Sequence, residues 1–329
     1  APSASWCGGP AHKPSRPRQL ARAAALPSEE VWILPAVSVA AFLSLLRADG
    51  KDTSKDEPRW LPHDFNQQPS LTKNWRAKVG RFRVVALEGK GLGALADCQF
   101  FPGDLVAEEV PLLQGSPHSM ETQFQMLPAE AVQRVLELSD CTDTQDGGER
   151  TLRGILDTNC FEQGLGSGDR VLCPTLARFN HSCAPNCQHV WDSDAGSMRI
   201  FASTEIADGE ELSIDYIDVR QRRATRQALL SRKYGFHCAC AACLKADEAS
   251  DQRREGMARL DEAMDSASSD AVLKLVPQLL QLYDEEGLHL QALRGRAALD
   301  ACAACAARRD AGLVASWAQR AAEWYSAGV

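Results

Sequence analysis

The sequence predicts an α+β protein in which a β-rich core with a helical insert is followed by a cysteine loop and an α-helical C-terminal module. Three observations predict it. Between residues 82 and 216, short runs of β-branched and aromatic residues are separated by frequent turn formers, the pattern of many small strands. From Asp251 onward the composition shifts to Ala, Leu, Glu and Arg at helical spacing, with Val272, Leu275, Val276, Leu279, Leu280 and Leu282 as apolar positions. Seven of the twelve cysteines (Cys160, Cys173, Cys183, Cys187, Cys238, Cys240 and Cys243) fall within one stretch of 84 residues. In a chain of 329 residues such clustering points to metal and a reducing compartment, because disulfide frameworks belong mainly to short secreted chains.

The chain opens on alanine instead of methionine, which reads as a piece of a longer protein or a processed form. Residues 1–28 contain no Asp or Glu but carry Lys13, Arg16, Arg18 and Arg22, the composition of either a disordered linker or an organellar transit segment. The apolar run from Val31 to Leu46 is too short for a membrane span, with Pro35 inside it, and reads as a buried or docking helix. Lys51 to Thr72 is a charged linker with Pro58, Pro62 and Pro69. Residues 1–74 are thus an extension, and the ordered domain is expected from Trp75.

Phe82 to Leu87 has strand residue types and runs into a glycine-rich turn over Glu88 to Gly93. A second strand is expected over Asp104 to Glu109. Helical spacing follows from Ser119 to Leu138, with Phe124, Leu127, Val132, Val135 and Leu136 as its apolar positions, then a polar loop over Asp143 to Gly148. Strand character returns at Val171-Leu172, His189 to Trp191, Met198 to Phe201 and Glu211 to Tyr216. After Asp251 two or three antiparallel helices are expected. They resemble tetratricopeptide hairpins in outline but lack a repeat consensus. Cys302 and Cys305, in a run of alanines, read as close helix packing.

The formal net charge of −8 argues against a general nucleic-acid binder, which needs a basic surface, and suits a basic protein partner.

The sharpest local signal is Cys238-Ala239-Cys240-Ala241-Ala242-Cys243, three thiols on a tight loop within reach of one tetrahedral zinc. A fourth ligand must come from elsewhere, and Cys183, in Asn180-His181-Ser182-Cys183, is the candidate. Asn180-His181 alone would be an ordinary turn before Pro185; its neighbourhood to Cys183 raises it. Gly89-Lys90-Gly91 after a strand allows close backbone approach to a ligand, though the third glycine of a dinucleotide fingerprint is missing. Tyr216, at the end of an alternating strand, would by itself be a half-buried core tyrosine.

Taken in order, Gly89-Lys90-Gly91-Leu92, Asn180-His181-Ser182-Cys183, Glu211 to Asp218 and Tyr234 to Cys243 resemble the signatures of SET-domain lysine methyltransferases, over roughly residues 79–244. The layout is most similar to the SET and MYND group, as is Thr158-Asn159-Cys160-Phe161. That group's MYND zinc module would fall near residues 113–118, where this chain has no cysteine, so MYND-mediated binding is not expected. The resemblance implies a β-rich SET fold with a pseudoknot, a helical insert around 113–150 in a domain over 75–237, a post-SET zinc loop over 238–246 and a helical region over 247–329.

It also implies an S-adenosylmethionine-dependent protein-lysine N-methyltransferase. Gly89, Lys90, Gly91, Asn180, His181, Tyr216 and Phe236 would hold the cofactor, and Asn159, Phe161, Tyr216 and Tyr234 would line the channel for the target lysine. Tyr216 would be the catalytic residue, and Cys183, Cys238, Cys240 and Cys243 would hold a structural zinc. The partner is a protein with a target lysine, a histone tail or a non-histone protein. A monomer in the cytoplasm or nucleus is expected, with an organelle as the alternative if residues 1–28 are a transit segment. The competing reading is an inactive SET-like zinc-binding scaffold.

Overall fold

Eleven strands and nine α-helices make up the described residues of this computed structural model, which are 78–79, 81–141, 149–163, 168–245 and 247–326. The basic segment 1–28, the apolar run 31–46, the linker 51–72, the start at Trp75 and the polar loop 143–148 lie outside them. The strands are β1 (Lys78–Val79), β2 (Phe82–Leu87), β3 (Gly91–Ala96), β4 (Leu105–Glu109), β5 (Leu113–Gly115), β6 (Phe161–Glu162), β7 (Arg170–Leu172), β8 (Asn180–His181), β9 (Cys187–Asp192), β10 (Ser197–Ala202) and β11 (Glu211–Ile214).

These form three small sheets in the orders β1-β4-β10-β9, β2-β3-β11-β8 and β5-β7-β6. One pair runs parallel: β8 lies beside β11 with Asn180 opposite Ser213 and His181 opposite Ile214. A parallel pair cannot be joined by a tight turn, and here the β9–β10 hairpin fills the connection. That crossing decides where the site lies.

The glycine run behaves differently from expectation. Only Glu88 to Lys90 turns, with Gly89 and Gly91 at φ near +70° and +74°, and Gly91–Ala96 is already a strand between β2 and β11. Its Gly and Ala residues are poor strand formers, but close packing requires glycine at 93. A Cβ on Gly93 would stand 2.6 Å from Asn180 Nδ2 and would also collide with the Leu87 side chain.

Residues from all three sheets meet in one core, which includes Phe82 of β2, Val106 of β4, Phe161 of β6, Val171 of β7, Ile200 of β10 and Leu212 of β11. Phe82 meets Phe179 edge-on at 5.1 Å between ring centroids, worth about 0.5–1.5 kcal/mol beyond simple burial. The predicted helix over 119–138 is two helices, α1 (Pro117–Gln125) and α2 (Ala129–Leu136). Pro128 separates them, since it disfavours helical backbone at Leu127 and itself stands in extended conformation immediately before α2. With α3 (Leu152–Asn159), whose Thr151 cap accepts from the Gly154 amide, they bury Met120, Val135, Leu138, Ile155 and Leu156 against β5 and β7.

Beyond the sheets come α4 (Arg223–Tyr234), α5 (Ala241–Lys245), α6 (Glu248–Ser266), α7 (Ser269–Glu286), α8 (Gln291–Ala307) and α9 (Ala311–Ser326). The last four pack each on the next, where two or three were expected. Cys302 and Cys305 are buried between α8 and α9 beside Val314 and Ala318, which is the close packing their alanine neighbours imply. No helix among the described residues is long and apolar enough to cross a membrane.

Candidate active site

The parallel crossing gathers residues that are far apart in the chain. His181 of β8 receives the Tyr216 amide on Nδ1 at 3.1 Å, although β11 itself stops at Ile214, two residues before the tyrosine. Because Nδ1 accepts, the proton of the neutral ring sits on Nε2, which is 3.3 Å from Cys183 Sγ. Burial pushes the imidazole down to about 4, so it stays neutral at physiological pH. Next to it, Asn180 donates to Glu211 Oε1 at 3.1 Å, and Lys90 pairs with Glu211 Oε2 at 2.5 Å. Glu211 thereby ties the glycine turn to the crossing.

Aromatic rings pack at tilted angles on this frame. Tyr216 lies 5.4 Å from His181 and 5.0 Å from Tyr234, while Phe236 stands 6.2 Å from His181. The Tyr216 hydroxyl donates to the Phe179 carbonyl at 2.7 Å, and the Tyr234 hydroxyl donates to the Tyr216 carbonyl at 3.2 Å. Burial raises the Tyr216 phenol well above its ordinary range, so the hydroxyl remains a donor.

Phe161 shares the core with Tyr216 and tilts against His189 at 5.3 Å. Asn159 is engaged elsewhere. Its amide donates to the Ser139 and Ile155 carbonyls, both at 2.7 Å, tying α3 to the loop before it.

The sulfur atoms of Cys183, Cys238, Cys240 and Cys243 all lie within 4.8 Å of one another. Cys183 Sγ is 4.0 Å from Cys238 Sγ and 3.6 Å from Cys243 Sγ, near the roughly 3.8 Å that separates thiolates on a tetrahedral zinc ion. Four thiols this close cannot all ionise unless a cation sits among them, so the donor set fits a metal. The cluster is braced by α4. Gln227 exchanges two hydrogen bonds with the Cys238 backbone, Arg223 donates to the Cys243 carbonyl at 2.8 Å, and buried Arg226 reaches Cys243 Sγ at 3.9 Å. Spaced i, i+3 and i+4, the three side chains share one helix face.

Sequence reasoning missed Glu211, Arg226, Arg254, His189 and Asp215. The two arginines sit in helices whose composition reads as solvent-exposed, and nothing in their spacing distinguishes them from surface charge. Asp215 and Glu211 were within the strand read as carrying Tyr216, where alternation alone gave them no role.

Comparison with known proteins fits this geometry. Residues 91–217 match the SET domain family model. The chain is similar to histone-lysine N-methyltransferase set5 of Schizosaccharomyces pombe, 26% identical over 56% of this chain and 58% of that protein. Mouse protein-lysine N-trimethyltransferase SMYD5 is 24% identical over 74% of this chain and 60% of that protein. Mouse histone-lysine N-methyltransferase SMYD3 is 31% identical over 39% and 29% respectively. In each case the chain spans less than two thirds of the relative's length. Residues 91–217 are a SET domain, and the chain is a relative of the SET-domain lysine methyltransferases.

Proposed function

We propose that this protein transfers a methyl group from S-adenosylmethionine to a lysine ε-amine of another protein, a histone or a non-histone target. One observation carries the reading: the crossing that sets Asn180-His181 beside Tyr216 also stacks Tyr216, Tyr234 and Phe236 around it. Lys90, Gly91, Asn180, His181 and Phe236 would hold the cofactor, which when bound supplies an activated methyl group. Gly93 leaves the close approach open and Glu211 holds Asn180 and Lys90 in place. Tyr216, Tyr234 and Phe161 would enclose the target side chain. Asn159, expected among the channel residues, donates its amide to the Ser139 and Ile155 carbonyls and would support Phe161 through the backbone.

Such an enclosure does two things. It holds the nucleophile in line with the methyl group, removing an entropic cost of up to roughly 7–11 kcal/mol. It also shields the amine from water, which lowers its pKa from about 10.4 toward neutrality so that the attacking form is populated. The Tyr216 hydroxyl, fixed by the Phe179 carbonyl, orients the amine and needs no ionisation.

The four cysteines are proposed to hold one zinc ion. With four thiolates there is no open coordination position, so the ion is structural: it fastens the loop bearing Phe236 to the Asn-His segment.

Incubation with radiolabelled S-adenosylmethionine, histones and a cell extract, followed by identification of labelled proteins, tests the activity. Labelled lysine in a defined protein supports it. A folded, cofactor-binding chain that labels nothing would leave the scaffold reading.

A further inference from the structure

A buried positive charge lies against the cysteine cluster. Arg226 on α4 is 1% exposed, and its guanidinium has no carboxylate partner among the described residues. Its Nη1 donates to the Gln221 carbonyl, its Nη2 reaches Cys243 Sγ at 3.9 Å, and its Nε is buried with no hydrogen-bond partner. Burial alone would lower its pKa, but the sulfurs of Cys183 and Cys243 prevail and hold it above the ordinary value. Arg223 and Gln227, on the same face of α4, bond the backbone of the cysteine loop, whereas Arg226 reaches a sulfur.

A second guanidinium stands close by. Fully buried Arg254 donates to the Cys183 carbonyl and repels Arg226, and its carboxylate partner Glu286 is shared with Arg253. The positive charge buried here therefore exceeds what Glu286 balances. A buried charge without a counter-charge is strongly destabilising, and four neutral thiols would give Arg226 none. Four thiolates around a divalent ion have the opposite deficit, carrying two negative charges in excess inside a site of low dielectric. Each imbalance answers the other.

We infer that Arg226 is the counter-charge of the metal cluster, a positioning residue whose guanidinium balances the excess negative charge of the thiolates and so sets how firmly the metal is held. This rests on the zinc reading and adds to it a residue outside the ligand set that governs retention of the ion, and with it the fastening of the loop that carries Phe236.

The test is zinc competition against a chromogenic chelator on the full chain, with wild type, Arg226→Lys, which keeps the charge, and Arg226→Met and Arg226→Gln, which remove it. Circular dichroism of the zinc-loaded proteins reports whether each keeps its fold. Zinc affinity falls about 10–100-fold in the neutral variants, the usual cost of losing a group that supports metal ligands, and Arg226→Lys recovers most of it. Iodoacetamide alkylates the zinc-loaded neutral variants faster than wild type, because thiolates with unbalanced charge are the better nucleophiles; a role in packing alone leaves that rate unmoved. Folded neutral variants that hold zinc as wild type does, or a lysine variant as weak as the methionine one, overturn the inference and leave the zinc reading standing. If Arg226→Met does not fold, Arg226→Gln against Arg226→Lys decides in the same way. A wild type that binds no zinc removes both claims.

Discussion

Arg254 of α6 donates its Nη2 to the Cys183 carbonyl at 3.1 Å, so a fully buried guanidinium from the helical module holds the backbone of the loop that brings the fourth cysteine. The same side chain donates to the Val219 carbonyl and to Glu286 Oε1, the latter at 2.8 Å. Arg254→Met would leave a buried carboxylate short of a partner and two carbonyls unsatisfied. The expected cost is about 3–5 kcal/mol, read as a lowered urea midpoint, together with weaker metal retention.

Gly93→Ala should separate cofactor binding from folding. The added methyl would push the Asn180 carboxamide away from Glu211, while the flexible Leu87 tip can yield. Affinity for S-adenosylmethionine should fall about ten-fold, the loss of one well-placed hydrogen bond, with little change in Tm. Calorimetry and a thermal melt on the same sample check it.

Tyr216→Phe removes the hydroxyl that bonds the Phe179 carbonyl but keeps the ring packed between His181 and Tyr234. Stability should drop by about 1 kcal/mol. Turnover should fall by roughly 10²–10³, the usual cost of deleting one positioned hydrogen-bonding group, with cofactor affinity retained. Full turnover in the labelling assay would refute the role.

Metal analysis should find one zinc per chain and none in a variant with Cys238, Cys240 and Cys243 all changed to serine. Chelation should abolish labelling, because the loop carrying Phe236 is fastened through these sulfurs to Cys183.

Acid should loosen the junction between the tyrosine segment and α6. Burial alone would raise Asp218, but its hydrogen bonds and ion pair with Arg220 prevail and hold it below the ordinary 3.8. Arg220 also reaches Asp261 of α6 at 3.3 Å. A carboxyl depressed in the fold stabilises above its unfolded pKa, and that contribution fades as pH falls through the folded value. Asp218→Asn should therefore be less stable than wild type at pH 7, with the difference closing below about pH 4 in paired denaturation curves.

How much of this was legible depended on whether a residue's role is local. Asn180-His181 and the cysteine loop could be read because ligand chemistry imposes short spacings, and Tyr216 because it lies next to them in order. The break at Pro128 was readable in principle, since proline acts on its immediate neighbour. Arg226 and Arg254 were not, because a charged residue in a helix reads as solvated until another element covers it. Nor was the approach of His189 to Asp215, one on β9 and the other just past the end of β11, which only the crossing brings together.

By itself the amino-acid sequence determined the α+β class, the four-cysteine cluster and the residues of the crossing. Periodicity, turn chemistry and metal-ligand spacing act within a few residues of one another. Tertiary structure decided that β3 is a strand despite its glycines, that the Asn159 amide bonds the Ser139 and Ile155 carbonyls, and that the helical module is bolted to the Cys183 loop. Those outcomes depend on which surfaces exclude water, a property of the assembled chain that no local window contains.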